Sequence, residues 1–166
     1  MCPMTSAPID ENSDTTPWLD TEQQRWWRSY LGGSTVLLDQ LDRDLRAAHD
    51  LSMAEYEILV RLSEAEDRSI RMAELASAVS HSRSRITHTI ARLERDGIVR
   101  RAASCTDGRG VSAVLTDHGH DVLAQAAHTH VRGVHDYLVA RCSREDLAAV
   151  GRVLEAVRTG LEGRGF

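Results

Sequence analysis

At 166 residues, 42% hydrophobic and with a net charge of −5, the chain can build one domain with a real core and is short for two large ones. No window approaches eighteen consecutive apolar residues, and the opening MCPMTSAPIDENSDTTP has neither a basic nor an apolar signal segment; membrane insertion and secretion are not indicated, and a cytoplasmic location is expected. Cys2, Cys105 and Cys142 are odd in number and widely spaced, which fits neither a disulfide framework nor a metal knuckle, so they read as free thiols.

The charge is unevenly placed. All 20 basic residues are arginine, and between Arg68 and Arg109 nine of them meet four acids, Glu74, Glu94, Asp96 and Asp107, a local balance of +5 against −10 for the remainder. An anionic partner responds to that local field and is oriented by the repulsion elsewhere. The plainer reading of such a cluster is a solvated charged face.

Residues 1–17 are rich in Thr, Ser, Pro and Asp and cannot bury enough apolar surface to offset ordering entropy, so a disordered tail is expected there. From Leu19 to about Ala48, Trp27, Leu31, Leu38, Leu41 and Leu45 recur at helical spacing. That predicts one long helix with a soft spot at Gly32-Gly33. Ser52 and Glu55 form a capping-box pattern that opens a second helix through Tyr56, Leu59 and Leu62 to about Ala65. The polar break EDRS and the β-branched Ile70 precede MAELASAV, a short helix with Met72, Leu75, Ala76 and Val79 inward.

The next segment concentrates the charge. Ile86, Ile90 and Leu93 fall on one line of a helix as a buried stripe, while Ser84, His88, Ala91 and Arg95 form the opposite line, flanked by Arg85, Thr87 and Arg92. Arginine can take guanine O6 and N7 bidentately, and hydroxyls and N-terminal amides can hold phosphates. Gly97 supplies a left-handed stop. IVRRA and VSAVLT then read as two strands joined by the turn-rich SCTDGRG, a hairpin with Asp107, Gly108, Arg109 and Gly110 at its tip. The order of elements reads as a winged helix-turn-helix, with the second helix in a major groove and the wing along the backbone or the neighbouring minor groove, where Arg109 would meet the enhanced negative potential.

Downstream, Leu123, Ala127, Val131, Val134 and Leu138 predict a long helix from Thr116 to about Ala140. Ser143 and Asp146 repeat the capping logic for a last helix, in which Leu147, Val150, Leu154, Val157 and Leu161 step by three and four. Such a seam packs on other helices, either within the chain or across a dimer. The expected fold class is mainly α with a small β-hairpin wing. It divides into a tail at 1–17, an N-terminal dimerisation helix at 18–50, a winged helix-turn-helix lobe at 51–115 and C-terminal dimerisation helices at 116–166.

The runs LSMAEYEILVRLSEA, MAELASAVSHSRSRITHTIARLERDGIVRR, DGR and VLTDHGHDVL resemble the MarR family of transcriptional regulators over roughly Leu51 to Leu123. The most specific pieces are RLERDGIVRR, the wing pair Asp107 and Arg109, and the trio Leu115, Thr116 and Gly119. The resemblance implies an obligate homodimer, one winged lobe per subunit and binding of double-stranded DNA at a pseudopalindromic operator, usually as a repressor. It also implies that Asp107 helps position Arg109 in the minor groove, and that a small-molecule effector releases the DNA. Gly110 departs from the pattern, since many relatives carry a further basic residue there.

These readings give Ser82, Arg83, Ser84, Arg85, Thr87, His88 and Arg92 as recognition-helix contacts, Arg95 and Arg101 as phosphate contacts, and Asp107 and Arg109 as wing contacts. Trp26, Trp27 and Tyr30 are either effector-pocket residues or dimer core. Cys105, flanked by Arg100, Arg101 and Arg109, is a redox candidate against the plainer reading of an inert thiol. His118, His120, His128, His130 and His135 lie on one helix without metal-ligand spacing. No nucleophile elbow, P-loop, dinucleotide glycine pattern or zinc-protease motif occurs, so neither a cofactor nor catalysis is expected. Two alternatives stay open: a metal- or redox-responsive regulator of the same fold, and a winged-helix module for a protein partner.

Overall fold

A computed structural model describes residues 16–78, 83–103 and 110–162, without the side chains at 78, 83–85 and 162. The chain divides into two units, residues 1–34 and 35–166. The expected tail lies almost wholly outside the described residues, as do Cys2, Val79, Ser82, Cys105, Asp107 and Arg109.

Helix α1 spans Thr21–His49. At its start Asp20 Oδ1 accepts from the Gln23 amide at 2.8 Å and Gln23 Oε1 accepts from the Asp20 amide at 3.0 Å, a reciprocal cap. In the first unit Trp27 stacks on Tyr30 with ring centroids 5.7 Å apart.

The second unit holds the core. Helix α2, Met53–Glu64, opens at the Ser52–Glu55 capping box that the sequence predicts. A 3-10 turn at Glu66–Arg68 follows, with Asp67 and Arg68 both in the left-handed region at φ 52°. Strand β1, Ser69–Arg71, leads directly into α3, Met72–Ala78, and then α4, Arg83–Arg95. Strands β2, Val99–Ala103, and β3, Val111–Leu115, complete an antiparallel sheet of order β1-β3-β2. The hairpin is therefore correct but incomplete. Ile70 belongs to a third strand, pairing Ala113, and three residues are too few for an alternation to register in the sequence.

The core gathers Leu45, Leu51, Ile58, Leu59, Leu62, Leu75, Ile86, Ile90, Leu93, Val99, Ala113 and Leu115. Helices α2 and α4 supply the apolar positions that their periods predict, and α3 supplies Leu75 and Ala76, with Met72 partly buried beside them. Helix α5, Asp117–Tyr137, is capped by Thr116, whose hydroxyl oxygen accepts from the Gly119 amide at 2.9 Å. It adds Leu123 and Ala126 to the core, and Tyr137 donates to Asp44 Oδ2 of α1 at 2.9 Å. A 3-10 turn at Val139–Arg141 leads to α6, Arg144–Glu162, where Ser143 and Asp146 cap each other reciprocally.

Candidate nucleic-acid interface

Helix α4 is fixed by what it turns inward. Ile86, Ile90 and Leu93 are fully buried, which leaves Thr87, His88 and Arg95 exposed on the outward side. Gly97, at φ 70°, turns the chain back in the left-handed region that a side chain disfavours. The amide of Ile98 then reaches the Leu93 carbonyl at 2.9 Å, closing the last turn. Arg83, Ser84 and Arg85 form the first turn of this helix.

The arginines divide into two groups. Arg95 and Arg100 are exposed and form no ion pair among the described residues. Arg92 is held by the protein instead. Its Nη2 donates to the Asp50 carbonyl oxygen and lies 3.3 Å from Asp50 Oδ2, its Nη1 lies 3.3 Å from Glu55 Oε1, and its Nε lies 3.7 Å from Asp96 Oδ2. Arg101 stands opposite Ala113, on the side of the sheet that faces α4. It donates from Nη2 to the Thr87 carbonyl at 3.1 Å, pairs with Glu94 Oε2 at 3.3 Å, and gives its amide to Glu94 Oε1 at 3.0 Å. It thereby braces the wing sheet against α4. Arg68 pairs with Asp117 at 3.3 Å.

Charge counting along the chain missed these partners because Asp50 and Glu55 lie far from Arg92 in sequence. Only Asp96, four residues on, was legible as a helix pair. Asp42 is a further residue the sequence did not single out. Its Oδ1 accepts from the Met53 amide at 2.7 Å and its Oδ2 from Arg46 Nε at 2.6 Å. Burial pushes the Asp42 carboxyl up, but the Arg46 and Met53 hydrogen bonds outweigh it and hold the group below the usual carboxylate range.

A cleft of about 620 Å3 is lined by residues of α1, α2 and α4, among them Asp42, Met53, Glu55, His88 and Arg92. Within the first unit, Trp26 and Trp27 are 58% and 50% exposed. His130 lies against Tyr56 of α2, with ring centroids 4.6 Å apart. Its Nδ1 is buried without a hydrogen-bond partner among the described residues, and burial lowers its pKa. His49 Nε2 meets Thr129 Oγ1 at 2.8 Å. Among the described residues, no group of three His, Cys, Asp or Glu side chains is arranged to hold a metal ion, and no helix is long and apolar enough to cross a membrane.

The MarR family model matches residues 51–111, the stretch from just before α2 to the first residue of β3. Over most of its length the chain is also similar to Sco3205, a MarR family transcriptional regulator from Streptomyces coelicolor solved in complex with DNA. The two are 40% identical, with 88% of this chain and 92% of that one aligned at a TM-score of 0.83. The chain belongs to the MarR family. AbsC, another MarR family regulator from Streptomyces coelicolor, is 38% identical, covering 89% of this chain and 99% of its own at a TM-score of 0.83. TtmR, an HTH-type transcriptional regulator of Methylorubrum extorquens, is 39% identical over 77 residues, 46% of this chain; the match spans 38% of TtmR. MarR family proteins are transcriptional regulators, and neither family nor fold indicates a catalytic activity.

The trio Leu115, Thr116 and Gly119 that carried part of the resemblance has a physical basis. Leu115 is buried in the core, Thr116 caps α5, and its hydroxyl lies 2.7 Å from the Gly97 carbonyl and 3.0 Å from that of Ile98. The end of the winged lobe and the beginning of α5 are thus tied through one side chain.

Proposed function

We propose that this MarR family regulator acts as a homodimeric repressor that binds a pseudopalindromic operator in double-stranded DNA. The observation that carries this reading is the two-sidedness of α4. Its apolar stripe is buried to completion, while Thr87, His88 and Arg95 stay exposed on the outward side, within the segment Arg68 to Arg109 that carries the local charge excess. Sco3205, similar to this chain over most of both lengths, was solved in complex with DNA, which supports the same use here.

In this reading Ser82, Arg83, Ser84, Arg85, Thr87 and His88 approach base edges or phosphates from the first half of α4, and Arg95 meets a phosphate at its end. Arg101 meets a phosphate from the helix–sheet junction, where its side chain also braces the sheet and stays 33% exposed. Asp107 and Arg109 belong to the wing, with Arg109 in the minor groove. Two identical lobes related by a two-fold axis read half-sites about one DNA turn apart. A small-molecule effector that releases the DNA completes the reading.

The pairing of subunits is supported by apolar side chains that one chain leaves uncovered. On α6, Val150, Val153, Leu154, Val157 and Leu161 are all exposed, Val153 at 61%. Residues 1–34 carry exposed Trp18, Trp26 and Trp27 of their own. Exposed apolar stripes of this extent mark a protein interface.

Footprinting on the duplex upstream of the protein's own gene tests the reading. Two protected half-sites spaced by about one helical turn are expected. Uniform protection, or none, would contradict it.

A further inference from the structure

We infer that Arg92 is a positioning residue that clamps α4 to the corner between α1 and α2, and that it does not itself read DNA. The inference rests on the DNA-binding reading above and concerns how the recognition helix of that site is held at its working angle.

The clamp is assembled from Asp50, Glu55 and Asp96. Asp50 follows the end of α1 in the left-handed region, at φ 53°, which turns both its carbonyl and its carboxylate toward α4. Glu55 is the stronger anchor, since its side chain is only 5% exposed. Its Oε2 accepts from the Ser52 amide at 2.8 Å and from the Ser52 hydroxyl at 2.7 Å, and its Oε1 faces Arg92 Nη1. A carboxylate this deeply buried depends on its partners, and removing one leaves a costly uncompensated charge. Asp96 takes the remaining nitrogen, Nε, from within α4 and its following turn. All three guanidinium nitrogens of Arg92 therefore face acceptors of the protein.

The corner itself is tied to α1. The first amide of α2, Met53, donates to Asp42 Oδ1, and Asp42 pairs with Arg46. One chain of polar contacts thus runs from α1 through the N-terminus of α2 to the last turn of α4. A bidentate contact to guanine would require Arg92 to abandon Glu55 and Asp50, whereas Arg95 is exposed and forms no ion pair among the described residues.

The two roles predict opposite signs for one substitution. Glu55→Gln removes a negative charge near the DNA and keeps the capping box, because Gln serves there as well as Glu. If Arg92 touched DNA, freeing it from Glu55 would tighten binding. If it clamps α4, the same change loosens the helix and weakens binding.

The experiment uses the full-length wild type, Arg92→Ala, Arg92→Lys, Glu55→Gln and the Arg92→Ala/Glu55→Gln double variant. Binding is measured to a duplex selected by the wild type from a random pool, and amide hydrogen exchange of α4 is followed without DNA. The clamp predicts faster α4 exchange and about tenfold weaker binding in Arg92→Ala and Glu55→Gln, with no further loss in the double variant. It also predicts that Arg92→Lys fails to restore affinity, since one ammonium cannot span three carboxylates. The salt slope of Arg92→Ala should match that of the wild type, whereas loss of a phosphate contact would lower it by about one. Unchanged or tighter binding by Glu55→Gln overturns the inference, as does unchanged α4 exchange. A wild type that selects no duplex overturns the DNA-binding reading instead, and α4 exchange then decides by itself whether the clamp exists.

Discussion

A β-carbon on Gly119 would stand 2.0 Å from the carbonyl oxygen of Ile98, so the first turn of α5 rests directly on the backbone that leads into β2. The contact leaves no room for adjustment, because the neighbour is backbone and not the end of a flexible side chain. Gly119→Ala is expected to destabilise the protein by about 3 kcal/mol as α5 or the sheet is forced apart. Thermal or urea unfolding of the variant checks this, and a stability equal to wild type would mean that α5 does not approach the sheet as described.

The Ser52 cap offers a milder perturbation. Its hydroxyl oxygen accepts from the Glu55 amide at 3.2 Å while Glu55 closes the box from the other side. Ser52→Ala should cost about 1 kcal/mol, and Ser52→Thr should recover most of it. A loss in Ser52→Thr as large as in Ser52→Ala would show that the hydroxyl is not the group that matters.

Much of this architecture is readable from the chain because the signals are local. Ser52 with Glu55, Ser143 with Asp146 and the 3-4 spacing of Ile86, Ile90 and Leu93 each depend on neighbours within one or two turns, and each appears in the structure as the pattern predicts. What escaped is non-local. Strand β1 exists because Ile70 finds Ala113, more than forty residues away, and three residues carry no period of their own. Arg92 counted as a free charge on the outward side of α4 until Asp50 and Glu55 came beside it through the fold. A sequence shows which arginines are present, whereas folding decides which of them still have a hand free.

His130 should make stability sensitive to mild acid. Burial against Tyr56 lowers its pKa from the ordinary 6.5, so the folded state favours the neutral ring. A depressed folded-state pKa contributes stability that is fully present above the unfolded value. That contribution is lost as pH falls below it toward the folded one. His130→Phe keeps an aromatic ring against Tyr56 and cannot titrate. Its unfolding free energy should therefore fall less steeply than that of the wild type between pH 7 and pH 5, and parallel curves would remove His130 from the account.

The exposed seam of α6 should be needed for subunit pairing and not for the fold of the lobe. Leu154 and Val157 are 41% and 51% exposed in the single chain, so a charge there meets water in a monomer and a desolvated surface in a dimer. Leu154→Glu with Val157→Glu is expected to sediment as a folded monomer with near-native helicity, and to bind a two-half-site duplex at least tenfold more weakly. A dimer that survives both changes would move the interface elsewhere.

That an acidic protein reads DNA sequence through a locally basic segment, Arg68 to Arg109, is tested most directly by fluorescence anisotropy across a salt series. The wild type is titrated with the duplex upstream of its own gene and with a scrambled duplex of equal length and composition. The account predicts tight, sequence-preferring binding whose logarithm falls steeply and linearly with the logarithm of salt concentration, as several arginines displace counterions while a subset reads bases. Equal, weak binding to both duplexes at every salt concentration would contradict it.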